Sequence, residues 1–532
     1  MRTSPRAVAL AAAGVIALAG PAAAASPGPS AAAGAPGAGS AACTPDPAAP
    51  KHEMRGLWVA SVANIDWPSR PGLSPEQAQA ELVDYYELAV DRGLNSVVVQ
   101  VRPTADTFWD SDLEPWSRWV SGAQGVDPGW DPMEYAVQAA HERGLDFHAW
   151  FNPYRVTLTG TDLGALDPEH PARLNPDWVV AYGGRLYYDP GVPAAREHTE
   201  AVVMEAVERY DLDGVHFDDY FYPYPVAGQV FDDADTYATY GGDMPLADWR
   251  RANVDTLIRT LDTRIQATKP WVSFGVSPFA VWRNASTDPE LGSDTTAGAQ
   301  TYDNLYADTR GWVKKGWVDY IAPQVYWNIG FAPADYAKIV PWWDDVVAGT
   351  DVDLYIGQAT YKVALAGQPA AWSDPREMVR HLQLNTDYEV DGNIWYSANQ
   401  VEANRLGHMD LVQQEFYSRP ALSPITDGGA AVTAPRGVST HLVTGGTEVR
   451  WDKGRAEGRP AADGYAVYRL PGDVRGRVDP CDLADATHLV AVLGPQQRTW
   501  TDLEGGRDVS YVVTALSSDN SESAPSRLVR GR

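Results

Sequence analysis

The fold is decided by a stretch that reads Tyr210-Asp211-Leu212-Asp213-Gly214-Val215-His216-Phe217-Asp218-Asp219-Tyr220. A helix ends, an apolar residue and an Asp follow, and a short apolar strand then runs into two adjacent carboxylates. Segments 92–95, 143–146 and 315–319 repeat the helix stop, often Gly, followed by an apolar residue and Asp or Asn. The repeat predicts a chain of strand–helix units. It places Asp213 at the same structural position as Asn95, Asp146 and Asp319, at the start of a strand.

Eight such units are predicted between residues 51 and 417. The strands are expected at 56–61, 96–102, 147–152, 215–220, 272–279, 320–327, 354–360 and 393–397. The helices are expected at 75–92, 132–143, 194–210, 246–268, 302–315, 333–348, 375–388 and 401–416. Eight alternating pairs favour a (β/α)8 TIM barrel. A doubly wound open sheet is the competing architecture, but no Gly-rich phosphate turn follows the first strand.

The loops indicate where the barrel carries its site. Helix-to-strand connections are short, whereas several strand-to-helix connections are long, for instance 153–193 and 223–245. Barrel enzymes build their sites from the loops at the carboxyl ends of the strands. The sequence therefore predicts a cleft walled by the loops after strands two to five, with the fourth strand in the middle.

Strand alternation predicts polar groups inside the barrel. In the fourth strand, Val215 and Phe217 should face the helices, whereas His216 and Asp218 should point inward. The same alternation turns other polar and aromatic side chains inward: Gln100, Arg102, His148, Trp150, Asn152, Gln324 and Tyr326. A purely structural barrel would fill these layers with Val, Ile and Leu. The polar interior therefore indicates a functional site.

Asp218 and Asp219 are the predicted catalytic unit. Two carboxyls this close do not both ionise easily, so one pKa should rise and keep a proton for a leaving oxygen. The ionised partner would stabilise positive charge on a sugar or on its 2-acetamido nitrogen. Paired carboxyl groups of this kind perform glycoside hydrolysis.

Further residues are predicted to hold the substrate. Arg102 is expected to lower one carboxyl pKa or to clamp a substrate carboxylate. The other candidate substrate-binding residues are His148, Asn152, Asp189, His216, Trp282, Gln324, Tyr326, Trp327 and Lys362, with the two tryptophans as stacking platforms. Asp106, Asp189 and Asp294 lie in long loops, and one of them could supply the distant base that an inverting mechanism requires.

The composition and the amino-terminal sequence limit the possible partners and the cellular compartment of the protein. The formal net charge of −28 disfavours a nucleic-acid partner. Arg2 and Arg6, the apolar run 7–20 and the small residues 22–25 predict a signal peptide over 1–25 and a secreted protein. Residues 26–50 are rich in Ala, Gly, Pro and Ser and are predicted to be disordered. We predict no membrane span beyond the signal peptide, no metal site and no cofactor.

The remaining chain predicts a second domain. Residues 418–433 form a Pro- and Gly-rich linker, and 434–532 carry alternating strands typical of a small β-sandwich. This tail resembles a fibronectin type III module. Only Cys43 and Cys481 are present, so either one disulfide or two unpaired thiols is possible.

The large region resembles the family 10-like glycoside hydrolases of bacteria. The matching segments are Glu53-Met54-Arg55-Gly56-Leu57-Trp58, Gln100-Val101-Arg102-Pro103, Trp150-Phe151-Asn152-Pro153-Tyr154, Tyr188-Asp189-Pro190-Gly191, 213–223, 277–284, 319–327 and Tyr361-Lys362. The resemblance implies a barrel hydrolase linked to bacterial cell-wall glycans, with Asp218 and Asp219 as catalytic residues. It implies that Arg102, Asn152, Asp189, Gln324, Tyr326 and Lys362 lie in the cleft.

Two mechanisms stay open. Enzymes in which the substrate's 2-acetamido group is the nucleophile often carry two acids on strand four and a Tyr on strand six, and Asp218, Asp219 and Tyr326 fit that outline. The family 18 chitinase pattern is not met, because Tyr220 stands where it has Glu and Trp327 where it has Asp. A two-carboxylate mechanism is the alternative. A non-catalytic glycan-binding barrel is the competing function, and a deacetylase is disfavoured because no metal-ligand cluster is evident.

Overall fold

The computed structural model describes Cys43 and residues 49–454, 459–472 and 478–532. The predicted signal peptide at 1–25 lies outside these residues, as does nearly all of the segment 26–50. In the described ranges, no helix has the length and apolar character needed to cross a bilayer. Cys43 and Cys481 are both disulfide-bonded, so neither carries a free thiol.

The large region forms the predicted barrel. Its strands are β1 (Met54–Val59), β2 (Ser96–Arg102), β3 (Asp146–Phe151), β4 (Val179–Tyr182), β5 (Arg185–Tyr188), β6 (Gly214–Phe217), β7 (Ser273–Val276), β8 (Tyr320–Ile321), β9 (Asp353–Gln358) and β10 (Gly392–Trp395). β4 and β5 form an antiparallel hairpin in the loop after β3. The other eight are parallel and close in the order β1-β2-β3-β6-β7-β8-β9-β10. The chain is thus a closed (β/α)8 barrel and not an open sheet.

Helices follow the strands around the outside. They are α1 (Pro75–Asp91), α2 (Arg118–Ser121), α3 (Pro132–His141), α4 (Pro171–Leu174), α5 (Pro193–Arg209), α6 (Ala234–Tyr240), α7 (Leu246–Thr268), α8 (Thr301–Asn304), α9 (Thr309–Lys315), α10 (Tyr336–Val347), α11 (Glu377–Asn385), α12 (Ala398–Ala403) and α13 (His408–Glu415). The predicted helix 401–416 is interrupted where Asn404 and Leu406 have φ of 40° and 58°. The predicted strand 320–327 is reduced to β8, since Pro323 lacks the N–H that a strand ladder uses.

The repeat before each strand has a structural role at the amino-terminal end of the barrel. Four side chains accept a hydrogen bond from a backbone N–H of a neighbouring strand. They are Asn95 with Arg55 (2.9 Å), Asp213 with Phe147 (2.7 Å), Asp319 with Phe274 (2.7 Å) and Asp391 with Leu354 (2.9 Å). Each bond joins the start of one strand to the next, so the structural prediction for Asp213 is confirmed.

The barrel interior is aromatic and polar, as strand alternation predicts. Val215 and Phe217 belong to the large apolar core outside the barrel, between strands and helices. Inside, His216 lies 5.9 Å from the ring of Tyr320 and 6.5 Å from that of Trp150, measured between centroids. The interior is therefore closed by interlocking rings below the level of Asp218.

The C-terminal region is a two-sheet sandwich. Its elements are β11 (Arg436–Val443), β12 (Gly446–Asp452), β13 (Gly464–Pro471), α14 (Pro480–Ala484), β14 (Leu489–Leu493), β15 (Thr499–Asp502), β16 (Val509–Leu516) and β17 (Val529–Arg530). One sheet has the order β11-β12-β15 and the other β14-β13-β16-β17. Trp451 is buried in the core between them with Val449, Tyr465 and Tyr511. Burial makes Trp451 a core residue of the sandwich.

The segment predicted as a linker packs against the barrel. Leu422 is 1% exposed and exchanges backbone hydrogen bonds with Glu53 and Lys51, each 2.9 Å long. On the sandwich side, Asn520 Nδ2 donates to Asp146 Oδ2 at 3.0 Å. The sandwich is thereby attached to the amino-terminal end of the barrel, opposite the end where β6 delivers its carboxylates.

Candidate active site

Two carboxylates stand at the carboxyl end of β6. The strand ends at Phe217, and Asp218 and Asp219 follow directly, where the chain turns across the barrel mouth. Their exposed fractions are only 3% and 6%. The pair is therefore enclosed among side chains at the mouth and does not face bulk water.

Asp218 is held by three donors. Asn152 Nδ2 lies 3.1 Å from its Oδ1 and 3.0 Å from its Oδ2, and Trp150 Nε1 donates to Oδ2 at 3.1 Å. The backbone N–H of Tyr220 adds a longer contact of 3.4 Å. Asn152 and Trp150 both come from β3 and its first loop residues, so one strand fixes the carboxyl group carried by the next.

Asp219 has a separate set of partners. The Tyr224 hydroxyl donates to its Oδ2, and Gln324 Nε2 donates to its Oδ1 at 3.2 Å. Gln324 also donates to the carbonyl of Ser277 at 2.9 Å. Isolated bridges pair Gln324 with Phe279 and Gly357 beyond the end of β8. Asp219 is thus fixed between the loops after β6 and β8.

The two carboxyls titrate above their ordinary range. Burial raises the pKa of Asp218 to about 6, with repulsion from Asp219 adding to the rise and the nearby Arg155 opposing it. Burial also raises the pKa of Asp219, against the hydrogen bonds from Tyr224 and Gln324. The pair therefore keeps a proton to higher pH than ordinary aspartates do.

Tyrosines line the mouth beside the pair. Tyr326, Tyr361 and Tyr396 form a tyrosine cluster whose ring centroids are 5.7 to 6.1 Å apart. All three are partly exposed, and none of their hydroxyl groups makes a hydrogen bond in the described ranges. Their flat faces and free hydroxyls can contact a sugar ring and its substituents.

Several predicted site residues meet at this mouth. Asn152 and Gln324 contact the carboxylates directly, and Tyr326 belongs to the tyrosine cluster. Lys362 reaches the same place, where its Nζ donates to the Tyr326 carbonyl at 2.5 Å. The partly exposed ring of Trp327 packs edge-on against Phe279 with 5.4 Å between centroids.

Arg102 is not in the cleft, which corrects the clamp interpretation. A register shift between Gln100 and Arg102 places Arg102 opposite Phe151, on the outward side of the sheet. There its guanidinium is fully buried and forms a paired ion contact with Glu114, with a further donation to the Asn152 carbonyl at 2.5 Å. Arg102 is therefore occupied by protein groups.

The polar groups of four further predicted residues are bonded to other parts of the protein. His216 is buried in the barrel interior, bonded to Tyr320 Oη at 2.9 Å and Ser277 Oγ at 2.8 Å. His148 lies lower still, 3.1 Å from the same Tyr320 hydroxyl, and burial lowers its pKa to about 4. Asp189 accepts from the Gly191 N–H of its own turn at 2.8 Å, and Trp282 donates to Asp308 at 3.0 Å. These contacts place His216 and His148 inside the barrel, below the mouth. They show Asp189 and Trp282 bonded to protein groups, and a role for these two in substrate binding stays a prediction.

The loop acids Asp106 and Asp294 also have partners of their own. Asp106 is buried and bonded to Thr104 at 3.1 Å, and Asp294 forms an exposed ion pair with Lys338. No described group of three or more His, Cys, Asp or Glu side chains is arranged to hold a metal ion. The arrangement at the mouth offers acid–base chemistry carried by the two carboxyl groups.

Sequence reasoning missed two residues that donate to the pair, Tyr224 and Trp150. It also missed Arg155, whose nearby charge lowers the pKa of both carboxyls. Trp150 was expected inside the barrel but without a role. Tyr224 and Arg155 lie in loops, where no periodicity assigns a direction. The aromatic run after Asp219 was the one available signal for Tyr224.

Comparison with known proteins agrees with this geometry. The glycosyl hydrolase-like 10 family matches residues 53–374, which include seven of the eight barrel strands and both carboxylates. The chain is 49% identical over 375 residues to the glycosyl hydrolase YngK of Bacillus subtilis, covering 70% of this chain and 73% of that protein. It is 39% identical over 387 residues to the glycosyl hydrolase DigH of Escherichia coli K12, covering 69% and 84%. With its closed barrel and buried carboxyl pair, the chain belongs to the glycosyl hydrolase-like 10 family and is a glycoside hydrolase.

Proposed function

We propose that the protein hydrolyses a bacterial polysaccharide containing N-acetylhexosamine, and that peptidoglycan glycan strands are its substrate. Asp218 and Asp219 are the catalytic residues of this proposal. The observation that carries it is the enclosed carboxyl pair, with one pKa raised to about 6 and separate hydrogen-bond partners for each member.

The two carboxyls take different roles. Asp218, with its pKa near 6, is the protonated member and gives its proton to the leaving glycosidic oxygen as the C–O bond breaks. The hydrogen bonds from the Tyr224 hydroxyl and the Gln324 amide favour the ionised form of Asp219, and in that form it stabilises the positive charge that develops on the sugar. Water completes the reaction by adding to the anomeric carbon and returning a proton to the pair.

The surroundings of the pair support an N-acetylated sugar. The free hydroxyls of the tyrosine cluster can donate to an acetamido carbonyl, and its rings can stack on the apolar face of a pyranose. An acetamido group held beside Asp219 could itself attack the anomeric carbon, as the substrate-assisted mechanism requires. Attack by a water or by a carboxylate remains the alternative route, and both routes use the same acid.

The amino terminus and the sandwich bear on location. Arg2, Arg6 and the apolar run 7–20 support export through a signal peptide cleaved near residue 25. The likeness of the sandwich to fibronectin type III modules supports a role as a spacer or weak surface binder. Sequencing the amino terminus of protein recovered from the medium of a bacterial host tests export, and an uncleaved Met1 would contradict it.

Product analysis by mass spectrometry tests the function. The substrates are peptide-free peptidoglycan strands, N-acetylglucosamine oligomers and a polymer without N-acetyl groups. Asp218→Asn and Asp219→Asn should each lose a factor of about 10² to 10⁴ in turnover, since each removes a positioned proton donor or charge. Asp243→Asn is the matched control, because Asp243 is an exposed carboxylate in the loop after β6, at the same end of the barrel. Full turnover in both carboxyl variants would reject the catalytic assignment.

A further inference from the structure

Arg155 is a buried cation at the mouth with unused hydrogen-bonding capacity. It is 4% exposed, and its Nε and Nη2 donate to the Pro103 carbonyl at 3.3 and 3.2 Å. Its guanidinium carbon lies 4.9 Å from the centre of the Tyr220 ring. Across the described ranges, Nη1 has no hydrogen-bond partner and no carboxylate lies within 4.0 Å of the guanidinium nitrogens. Arg155 is thus held in place while one edge stays unpaired.

Other buried arginines of the barrel, unlike Arg155, are paired with carboxylates. Arg102 pairs with Glu114, and Arg250 donates to both oxygens of Asp233 at 2.6 and 2.7 Å. A buried guanidinium without a hydrogen-bonded carboxylate is costly. The charges of Asp218 and Asp219 act on Arg155 from a distance, but neither carboxylate accepts a hydrogen bond from it, so the free edge of Arg155 remains available to an anion. The chain has 70 acidic and 42 basic residues. The lack of a paired carboxylate at Arg155 therefore does not reflect a shortage of acidic side chains.

A second unpaired cation lies on the same face of the β4–β5 hairpin. An antiparallel bridge pairs Arg155 with Tyr187, and strand alternation puts Arg185 on the same side as Tyr187. Arg155 and Arg185 are therefore diagonal neighbours, which in antiparallel sheets means Cα atoms roughly 7–8 Å apart. Arg185 is partly exposed and makes no hydrogen bond or ion pair within the described part of the chain.

We propose that Arg155 and Arg185 together bind an acidic substituent of the sugar beside Asp218 and Asp219, so that the cleft selects a carboxylate-bearing polysaccharide over a neutral one. The inference rests on the proposed function, since it assumes that the sugar occupies this cleft. Two guanidinium groups offer forked donors that match the two oxygens of a carboxylate. Tyr220 serves as the platform that keeps Arg155 in the required orientation.

Binding measurements on the Asp218→Asn variant test the cation pair without turnover. The probes are peptide-free glycan strands, whose lactyl groups carry carboxylates, and the same strands after chemical reduction of those carboxylates to alcohols. We expect the acidic strands to bind roughly five- to tenfold more tightly at low salt, as for one charge-assisted hydrogen-bonded pair. The preference should shrink as ionic strength rises.

Substitutions then test whether Arg185 causes the preference for acidic strands. Adding Arg185→Gln should remove most of the difference between the two probes, and Arg185→Lys should keep part of it. Arg259→Gln is the matched control, because Arg259 is an exposed arginine on α7 beside Trp317, and it should change neither affinity. Equal affinity for both probes, or an equal loss for both on Arg185→Gln, would overturn the inference.

Hydrolysis by the unsubstituted protein separates this result from the proposed function. Cleavage of acidic and reduced strands at equal kcat/KM would reject acid recognition and leave the hydrolase function standing. A preference for acidic strands in binding with no cleavage of either probe would support the cation pair and reject the proposed catalysis.

Discussion

Removing the hydroxyl of Tyr224 should shift the acidic limb of the pH–rate profile. In Tyr224→Phe, Asp219 loses its O–H donor and keeps the Gln324 amide at 3.2 Å. A hydrogen bond to a charged group contributes about 1.5–3 kcal/mol. At 1.36 kcal/mol for each pKa unit, the pKa of Asp219 should rise by roughly 1–2 units.

The sign of the effect follows from the proposed roles. Activity requires Asp219 ionised and Asp218 protonated, so Asp219 sets the acidic limb and Asp218, with its pKa near 6, sets the basic limb. A higher Asp219 pKa moves the acidic limb of the bell-shaped pH–rate profile to higher pH, which narrows the pH range in which the enzyme is active. Well below both pKa values, kcat/KM should fall by about 10- to 100-fold, which corresponds to 1–2 units.

The assay is the release of reducing ends from glycan strands between pH 3 and 8, with melting temperatures to confirm folding. Tyr220→Phe is the matched control, since the Tyr220 hydroxyl donates to neither carboxylate and its ring remains under Arg155. An unchanged acidic limb in Tyr224→Phe, or an equal shift in Tyr220→Phe, would refute the reasoning.

Three further outcomes concern the frame around the site. Arg102→Gln should lower the free energy of unfolding by about 3–5 kcal/mol, because it leaves Glu114 buried without its partner, and the KM of the folded fraction should not change in steady-state assays. Burial and the neighbouring Asp213 raise the pKa of Asp146 to about 7. The resulting cost to stability grows as the pH rises from about 4, the ordinary pKa of an Asp, to about 7, and it is fully present above that pH. Asp146→Asn should therefore raise the free energy of unfolding at pH 8 by about 1–2 kcal/mol, given its partial exposure, and should have little effect at about pH 4. Gly214→Ala should lower the free energy of unfolding, measured in urea, by about 1–3 kcal/mol, because its new methyl group would lie 2.3 Å from the His148 ring. For each of the three variants, a stability equal to that of the parent under the stated conditions would contradict the expectation.

The sequence predicts the barrel well because its signals are periodic. The helix-stop repeat locates the strand starts, and alternation correctly turns His216 and Asp218 inward and Val215 and Phe217 outward. The same rule fails for Arg102, where a register shift in β2 reverses its side. Nothing in the sequence shows that shift, because it depends on pairing with a strand more than 40 residues away.

The residues of the candidate site also divide into those that strand alternation predicts and those that it does not. Asn152 and Gln324 are predicted because they continue the alternation of their strands, and the structure brings both to the carboxylates. Arg155 and Tyr224 lie in long loops, where contact depends on how the loop folds back and not on spacing. His148 points inward as predicted, but depth along the axis separates it from the mouth, and alternation carries no information about depth.

The docked sandwich has a practical consequence for anyone who shortens this chain to its barrel. Ending it at residue 417 would strip Leu422 from the edge formed by Lys51 and Glu53, and would leave Asp146 without the Asn520 amide. The amino-terminal end of the barrel would then expose apolar and acidic groups that the 532-residue chain keeps covered. A loss of activity in such a fragment would reflect destabilisation of the amino-terminal end of the barrel, far from the candidate site. It would not show that the sandwich binds substrate.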